Sequence, residues 1–202
     1  MGIVVAIDGP SGAGKSSAAK AIAHRAGWNY LDTGALYRAV TWLALENKCE
    51  EPFSILQLLK DHPIRFESDP TSPQVFAGTV QITQSIRGHS VTDNVSRISA
   101  MPEIRKQLLI MQHSIIDSSE RGIVVEGRDI GTVVAPDAGL KIFLTADIDA
   151  RAARREDEIG DKSVDVKASL GSRDAIDSTR IHSPLVKAHD AVEIDSTNLN
   201  LE

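Results

Sequence analysis

Gly9-Pro10-Ser11-Gly12-Ala13-Gly14-Lys15-Ser16-Ser17 is the stretch that decides the fold. It fits G-x-x-x-x-G-K-S/T, a phosphate-binding loop. The flanks agree with it. Ile3-Val4-Val5-Ala6-Ile7 is an apolar run of strand length, and Ser17 to Ala26 reads as a helix. Strand, loop and helix in that order are what the motif requires. Gly9, Gly12 and Gly14 let the chain wrap closely, so that successive N–H groups face anionic oxygens at the positive end of a helix. All nine residues from Gly9 to Ser17 are therefore expected around a nucleoside triphosphate. Lys15 reaches the β and γ phosphates, and the Ser16 hydroxyl is an oxygen ligand suited to Mg²⁺.

Outward from the loop, Trp28 to Asp32 predicts a second short strand, and Thr33 is expected to cap a helix running to about Asn47. The segment 33–38 then lies where a strand ends and a helix begins, the edge at which open α/β sheets bind ligands. Residues 53–60 predict a short helix. Residues 64–67, 74–77 and 79–82 predict strands of a small antiparallel insert, broken by Asp69-Pro70, Ser72-Pro73 and Gly78. Pro102 opens a helix that runs to Ser118. Gly122 to Glu126 and Leu140 to Leu144 are buried-strand patterns typical of parallel sheets. Asp149 to Glu158 predicts a charged helix, Asp161 to Ser178 a mixed, mobile stretch, and Ala191 to Asp195 a last strand. Ser196-Thr197 has the look of a cap, and a helix is expected where the chain stops at Glu202.

The 202 residues allow one substantial core with inserted lobes. No apolar stretch reaches membrane-spanning length, the N-terminus has no signal-peptide pattern, and a single cysteine, Cys49, suits a reducing cytoplasm. A net charge of −6 argues against a nucleic-acid or anionic-membrane surface. Nevertheless Arg121, Arg128, Arg151, Arg154, Arg155, Arg173 and Arg180 crowd the second half, as suits handling of a small polyanion. For Arg151 alone a solvated helix face is the default reading. Tyr37, Trp28 and Trp42 are expected to pack in the core, and the six histidines lack metal-ligand spacing. Asn47-Lys48-Cys49-Glu50 approximates the guanine-reading N-K-x-D of switch GTPases, but it sits early, on a helix end, and is a chance match.

Three blocks narrow the chemistry. Asp8 to Ser16, Asp32-Thr33-Gly34-Ala35-Leu36-Tyr37-Arg38, and Glu126-Gly127-Arg128-Asp129-Ile130-Gly131-Thr132-Val133-Val134 together resemble the bacterial cytidylate kinase family. Matches continue in the family's order at Ser85-Ile86-Arg87, Pro102-Glu103-Ile104-Arg105, Arg151 to Arg155, Ser172-Arg173-Asp174 and Asp195-Ser196-Thr197. The resemblance implies the nucleoside-monophosphate-kinase form of the α/β fold. That form has a five-stranded parallel sheet flanked by helices, a small antiparallel insert in the acceptor-binding lobe, and a mobile lid. It implies one kinase domain over 1–202: a core of 1–32, 108–151 and 172–202, an acceptor lobe over 33–107, and a lid at about 152–171.

The implied reaction is transfer of the γ-phosphoryl group of ATP to CMP or dCMP, using Mg²⁺; with no oligomer signal in the sequence, a cytoplasmic monomer is the expectation. Position by position, Lys15 with Arg128, Arg154 and Arg155 would neutralise the phosphates in flight, the last two moving with the lid. Arg38 and Arg128 would grip the acceptor phosphate, a task suited to the guanidinium fork. Ser96, Arg105 and Asp129 would surround the cytosine, with Asp129 accepting from its exocyclic amine. Arg173 and Asp177 match sugar-binding positions, with Arg180 close by, and Asp177 and Arg180 are also spaced as a helical ion pair. Thr33, Tyr37, Arg87 and Gly127 complete the acceptor side. Rival readings are a kinase of the same architecture acting on UMP, dTMP or shikimate, and a nucleotide-binding switch. The residue at 129 and the 85–105 segment argue against the first. The paired arginines, suited to a second phosphate, argue against the second.

Overall fold

A computed structural model describes residues 2–159, 165–180 and 183–201. Eight strands and seven α-helices follow one another among these residues: β1 (Ile3–Asp8), α1 (Lys15–Ala26), β2 (Asn29–Asp32), α2 (Thr33–Glu46), α3 (Pro52–Asp61), β3 (Ile64–Glu67), β4 (Gln74–Ala77), β5 (Val80–Gln81), α4 (His89–Ser99), α5 (Pro102–Asp117), β6 (Gly122–Gly127), β7 (Leu140–Thr145), α6 (Ile148–Ile159), α7 (Val166–Thr179) and β8 (Val192–Asp195). The central sheet is parallel, in the order β2-β6-β1-β7-β8. Its middle strands are apolar because both faces are covered: Val5, Ala6 and Ile7 of β1 and every residue of β6 are buried. The expected fold class is thus the observed one.

The chain divides into two compact units. The first comprises Gly2 and Ala23–Ile123. It carries the antiparallel sheet β3-β4-β5, in which Ile64 pairs with Ala77 and Phe76 with Gln81. Helix α2 buries Leu36, Val40 and Leu43, and α5 buries Ile104, Leu108, Gln112 and Ile116 at a spacing of four, one stripe of each helix. The start of α2 differs from expectation. Asp32, not Thr33, is the cap: its carboxylate accepts the Ala35 N–H at 3.0 Å, while Thr33 is the first helical residue and is buried. Helix α4 was not anticipated. Its apolar stripe, Val91, Val95 and Ile98, is only three residues wide among polar neighbours, yet all three are buried. Asn47 spends its side-chain amide on the Leu43 carbonyl at 2.8 Å, a helix-end contact that explains the chance guanine-type match.

The second unit comprises Ile3–Ile22 and the described residues from Val124 onward. Here β7 lies parallel between β1 and β8, with Asp8 level with Phe143 and Thr145 level with Asp195. The stretch expected to be irregular after Asp161 is a helix from Val166. Asp165 caps it by accepting the Ala168 N–H, and Val166 and Leu170 bury against Ala152. Residues 160–164 of the expected lid lie outside the described residues. Ser196 and Thr197 do not cap a helix; residues 196–201 have no regular structure. Trp28, Trp42 and Tyr37 are half-buried rather than core residues. No described helix is long and apolar enough to cross a membrane.

Candidate functional site

In the second unit, β1 delivers the chain into the glycine loop. Gly9, Gly12 and Gly14 all adopt positive φ, at 147°, 79° and 89°. Lys15 opens α1 almost wholly buried, and its ammonium donates to the Pro10 carbonyl at 2.7 Å. Ser16 and Ser17 are exposed in the first helical turn, and the Ala18 N–H is bonded back to Gly14 at 3.1 Å. Ser196 clamps the loop from behind: its hydroxyl lies 2.9 Å from the Ala13 carbonyl and 2.9 Å from that of Thr145. Arg154 donates to the Ser196 side chain and carbonyl, and to the carbonyls of Thr197 and Leu199.

Asp8, at the end of β1, is buried and accepts two backbone N–H groups, from Ile130 at 2.8 Å and Gly131 at 2.7 Å. It anchors the turn that follows Arg128 and Asp129. A Cβ on Gly131 would meet Lys141 at 3.2 Å and the Asp8 carboxylate at 3.4 Å, so the glycine permits this approach. Burial pushes the Asp8 carboxyl above the ordinary aspartate range, only partly opposed by those two hydrogen bonds. A folded value above the unfolded one favours the protonated form in the folded state. Its contribution to stability is therefore complete below about pH 4 and is lost as pH rises through the raised value. Relative to Asp8→Asn, whose amide does not titrate, the wild-type protein is expected to lose stability across that window. Urea midpoints of both proteins from pH 4 to 7 test this; a constant difference, or one moving the other way, refutes it.

Arginines converge in the same unit. Arg128 donates through Nε to Asp177 at 2.9 Å and through Nη1 to the Gly127 carbonyl at 3.3 Å. Arg180 lies 3.7 Å from the other oxygen of Asp177, the helical pair expected from the spacing. Arg173 is close enough to Arg128 and Arg155 to feel their charge. Burial first, and Arg128 second, hold its guanidinium below the ordinary arginine range. Its Nε is buried without a hydrogen-bond partner among the described residues. Arg128 and Arg180 thus meet at Asp177, with Arg173 near both Asp177 and Asp174, a cluster of guanidinium groups that suits an anion.

The first unit gathers a different set. Arg38 on α2 donates to the Ile86 carbonyl at 3.2 Å and to the Thr92 hydroxyl at 3.0 Å. Arg87, in a short 3₁₀ turn, lies 3.9 Å from Asp32. Arg105 donates to the Ser99 carbonyl at 3.1 Å and stands 5.4 Å above the Tyr37 ring. Ser96 is half-buried on α4, and its carbonyl accepts the Ser99 hydroxyl at 3.1 Å. The expected residues therefore fall into two groups. Thr33, Tyr37, Arg38, Arg87, Ser96 and Arg105 stand in the first unit. The loop, Gly127, Arg128, Asp129, Arg154, Arg155, Arg173, Asp177 and Arg180 stand in the second.

A family model described as cytidylate kinase matches residues 5–202. The chain belongs to the cytidylate kinase family. It is 49% identical to the cytidylate kinase of Streptomyces avermitilis over 99% of this chain and 88% of that protein. It is also 49% identical to the cytidylate kinase of Streptococcus pneumoniae strain 70585 over 99% of this chain and 92% of that protein. Among solved structures, a gluconokinase from Sinorhizobium meliloti is a distant likeness, 16% identical over 99% of this chain and 85% of its own, with a TM-score of 0.44.

For this cytidylate kinase family member the sequence reading missed several supports. Arg151, expected on a solvated face, is only 7% exposed and bonded to the Ser11 carbonyl of the glycine loop. Thr92, the partner of Arg38, sits on the unanticipated α4; the spacing of Val91, Val95 and Ile98 was the available signal. Asp8 and Ser196 lie inside matched blocks, but their partners are 122 and 183 residues away in sequence and left no local trace.

Proposed function

We propose that the protein transfers the γ-phosphoryl group of ATP to the phosphate of CMP, and of dCMP, giving ADP and CDP or dCDP. The observation that carries this is family membership across the chain, in a molecule whose loop and arginines have the geometry described above. An oxygen of the acceptor phosphate attacks the γ-phosphorus as the bond to the β-phosphate oxygen breaks, and ADP departs. The acceptor oxygen is already ionised at neutral pH, so no general base is needed. Catalysis is positioning and charge neutralisation.

In this reading Lys15 and the loop N–H groups bind the donor, Arg128, Arg154 and Arg155 neutralise phosphate charge, and Arg173 stands with Asp177 at the sugar of the acceptor. Among the described residues no three His, Cys, Asp or Glu side chains are grouped to hold a metal ion. The exposed Ser16 hydroxyl at the loop's end fits Mg²⁺, which takes few protein ligands beside substrate phosphates and water. Held there by Ser16, the ion would supply positive charge to the phosphates. Arg38 and Arg128 grip the acceptor phosphate, while Ser96, Arg105 and Asp129 meet the base, and Thr33, Tyr37, Arg87, Gly127, Asp177 and Arg180 complete that side. A monomer working in a reducing cytoplasm completes the proposal.

The test is ADP release from Mg-ATP with CMP, dCMP, UMP, dTMP or AMP, beside a control without acceptor. Strong turnover of CMP and dCMP with weak UMP is expected; ADP release independent of acceptor refutes the proposal. Uracil presents an acceptor where cytosine presents an amine, so Asp129→Asn should erode CMP-over-UMP preference about tenfold or more. An unchanged ratio of kcat/KM values would assign base reading to another residue.

A further inference from the structure

Arg151, on the first turn of α6, is buried, and its Nε and Nη1 are aimed at structure. Its Nε donates to the Ala146 carbonyl at 2.9 Å, and its Nη1 to the Ser11 carbonyl at 3.1 Å and to Asp174 at 2.6 Å. These partners belong to the approach to α6, the phosphate loop and α7. The backbone seats there as well: a Cβ on Gly12 would lie 3.1 Å from both the Cβ and the carbonyl oxygen of Arg151. Gly12 has a φ of 79°, so it is doubly unsuited to a side chain.

The described peptide bonds are trans, and in a trans peptide the C=O and the following N–H point in opposite directions. Anchoring the Ser11 carbonyl toward Arg151 therefore turns the Gly12 N–H away from it. The same logic applies on either side. Lys15 anchors the Pro10 carbonyl and so aims the Ser11 N–H; Ser196 anchors the Ala13 carbonyl and so aims the Gly14 N–H. Three side chains from three parts of the sequence thus set the direction of three loop donors. Arg151 differs from the other two in being joined to Asp174, which lies between Arg173 and Asp177 on α7.

We propose that Arg151 is a positioning residue: with Asp174 it orients the Ser11–Gly12 peptide toward the donor phosphates and ties the loop to the helix that carries Arg173 and Asp177. This rests on the reading of the loop as the ATP site. The guanidinium is the group suited to this task, because its separated nitrogens reach two carbonyls and a carboxylate lying in different directions, a span the single nitrogen of an ammonium does not match.

The experiment compares Arg151→Ala, Arg151→Lys, Asp174→Asn, the Arg151→Ala/Asp174→Asn pair and Lys15→Ala. It measures Mg-ATP affinity by calorimetry and KM for CMP, with circular dichroism to check folding. Arg151→Ala should weaken ATP binding about tenfold or more, with a smaller rise in KM for CMP through the helix that carries Arg173 and Asp177, and Arg151→Lys should recover part of the loss in ATP binding. Asp174→Asn should give a smaller loss of the same kind, and the double variant should be no worse than Arg151→Ala alone, since the pair acts as one unit. Wild-type ATP affinity in folded Arg151→Ala overturns the proposal, as do losses that simply multiply in the double variant. If Arg151→Ala fails to fold, Arg151→Lys and Asp174→Asn carry the test: wild-type affinity in both overturns it. Wild-type ATP affinity in Lys15→Ala would instead refute the ATP-site reading itself.

Discussion

Lys15→Ala is expected to lower the turnover of CMP by about three orders of magnitude, corresponding to roughly 4 kcal/mol of transition-state stabilisation. Charge on the transferred phosphoryl and the leaving ADP is met by preplaced cations, and the protein has little covalent chemistry to contribute beyond that. The structure holds Lys15 in place. It is almost completely buried, and its ammonium is fixed on the Pro10 carbonyl at 2.7 Å, so little reorganisation is needed when phosphate arrives. Removing it also frees that carbonyl, so a loss in ATP affinity should accompany the loss in kcat. The check is steady-state kinetics with saturating Mg-ATP alongside a circular-dichroism comparison of folding. Turnover near the wild-type value would refute the assignment of the loop as the donor site.

Gly9→Ala is expected to damage the fold itself. The residue has a φ of 147°, and a Cβ there would stand 2.0 Å from the Leu144 carbonyl oxygen. That oxygen belongs to the backbone of β7, whose pairing with β1 runs to Asp8 and Phe143, immediately before the glycine. Relief therefore requires the two central strands to part at the mouth of the loop. A cost of about 3 kcal/mol or more is expected, in the range of strained or overpacked substitutions. Thermal and urea unfolding of the variant provide the measurement. An unchanged midpoint would show that the backbone relaxes freely there. Gly27→Ala is the useful contrast: it also has positive φ, at 66°, but nothing stands within 4 Å of its would-be Cβ, so conformational strain acts alone.

The fold was legible where one residue pattern met one physical demand. The apolar run 3–7, the glycine loop and the buried run 122–126 could be read as strand, loop and strand because short, β-branched apolar runs beside a glycine turn suit buried strands. The antiparallel insert was legible for the opposite reason: Asp69-Pro70, Ser72-Pro73 and Gly78 break the chain at short intervals. Helix α4 was not legible because its three apolar positions are diluted by polar ones, and tertiary packing against the rest of its unit decides the conformation. Asp165 stands out weakly as the start of α7 because its neighbourhood is charged, although the cap bond to Ala168 is local. Arg151 shows the firmest limit. A charged residue on a charged helix is normally solvated, and only the positions of Ser11 and Asp174 in space reveal that this one is not.

The clamp of Ser196 on Ala13 joins residues 183 positions apart. Such a contact costs loop-closure entropy that only the assembled sheet repays, so it belongs to the slow, non-local part of folding. Translation sharpens the point. When Gly9 to Ser17 leave the ribosome, the hydroxyl that fixes the Ala13 carbonyl has not been synthesised, and it arrives only after β8 has been made and docked beside β7. The earliest segment of the chain to show its purpose in the sequence is thus among the last to acquire its working shape.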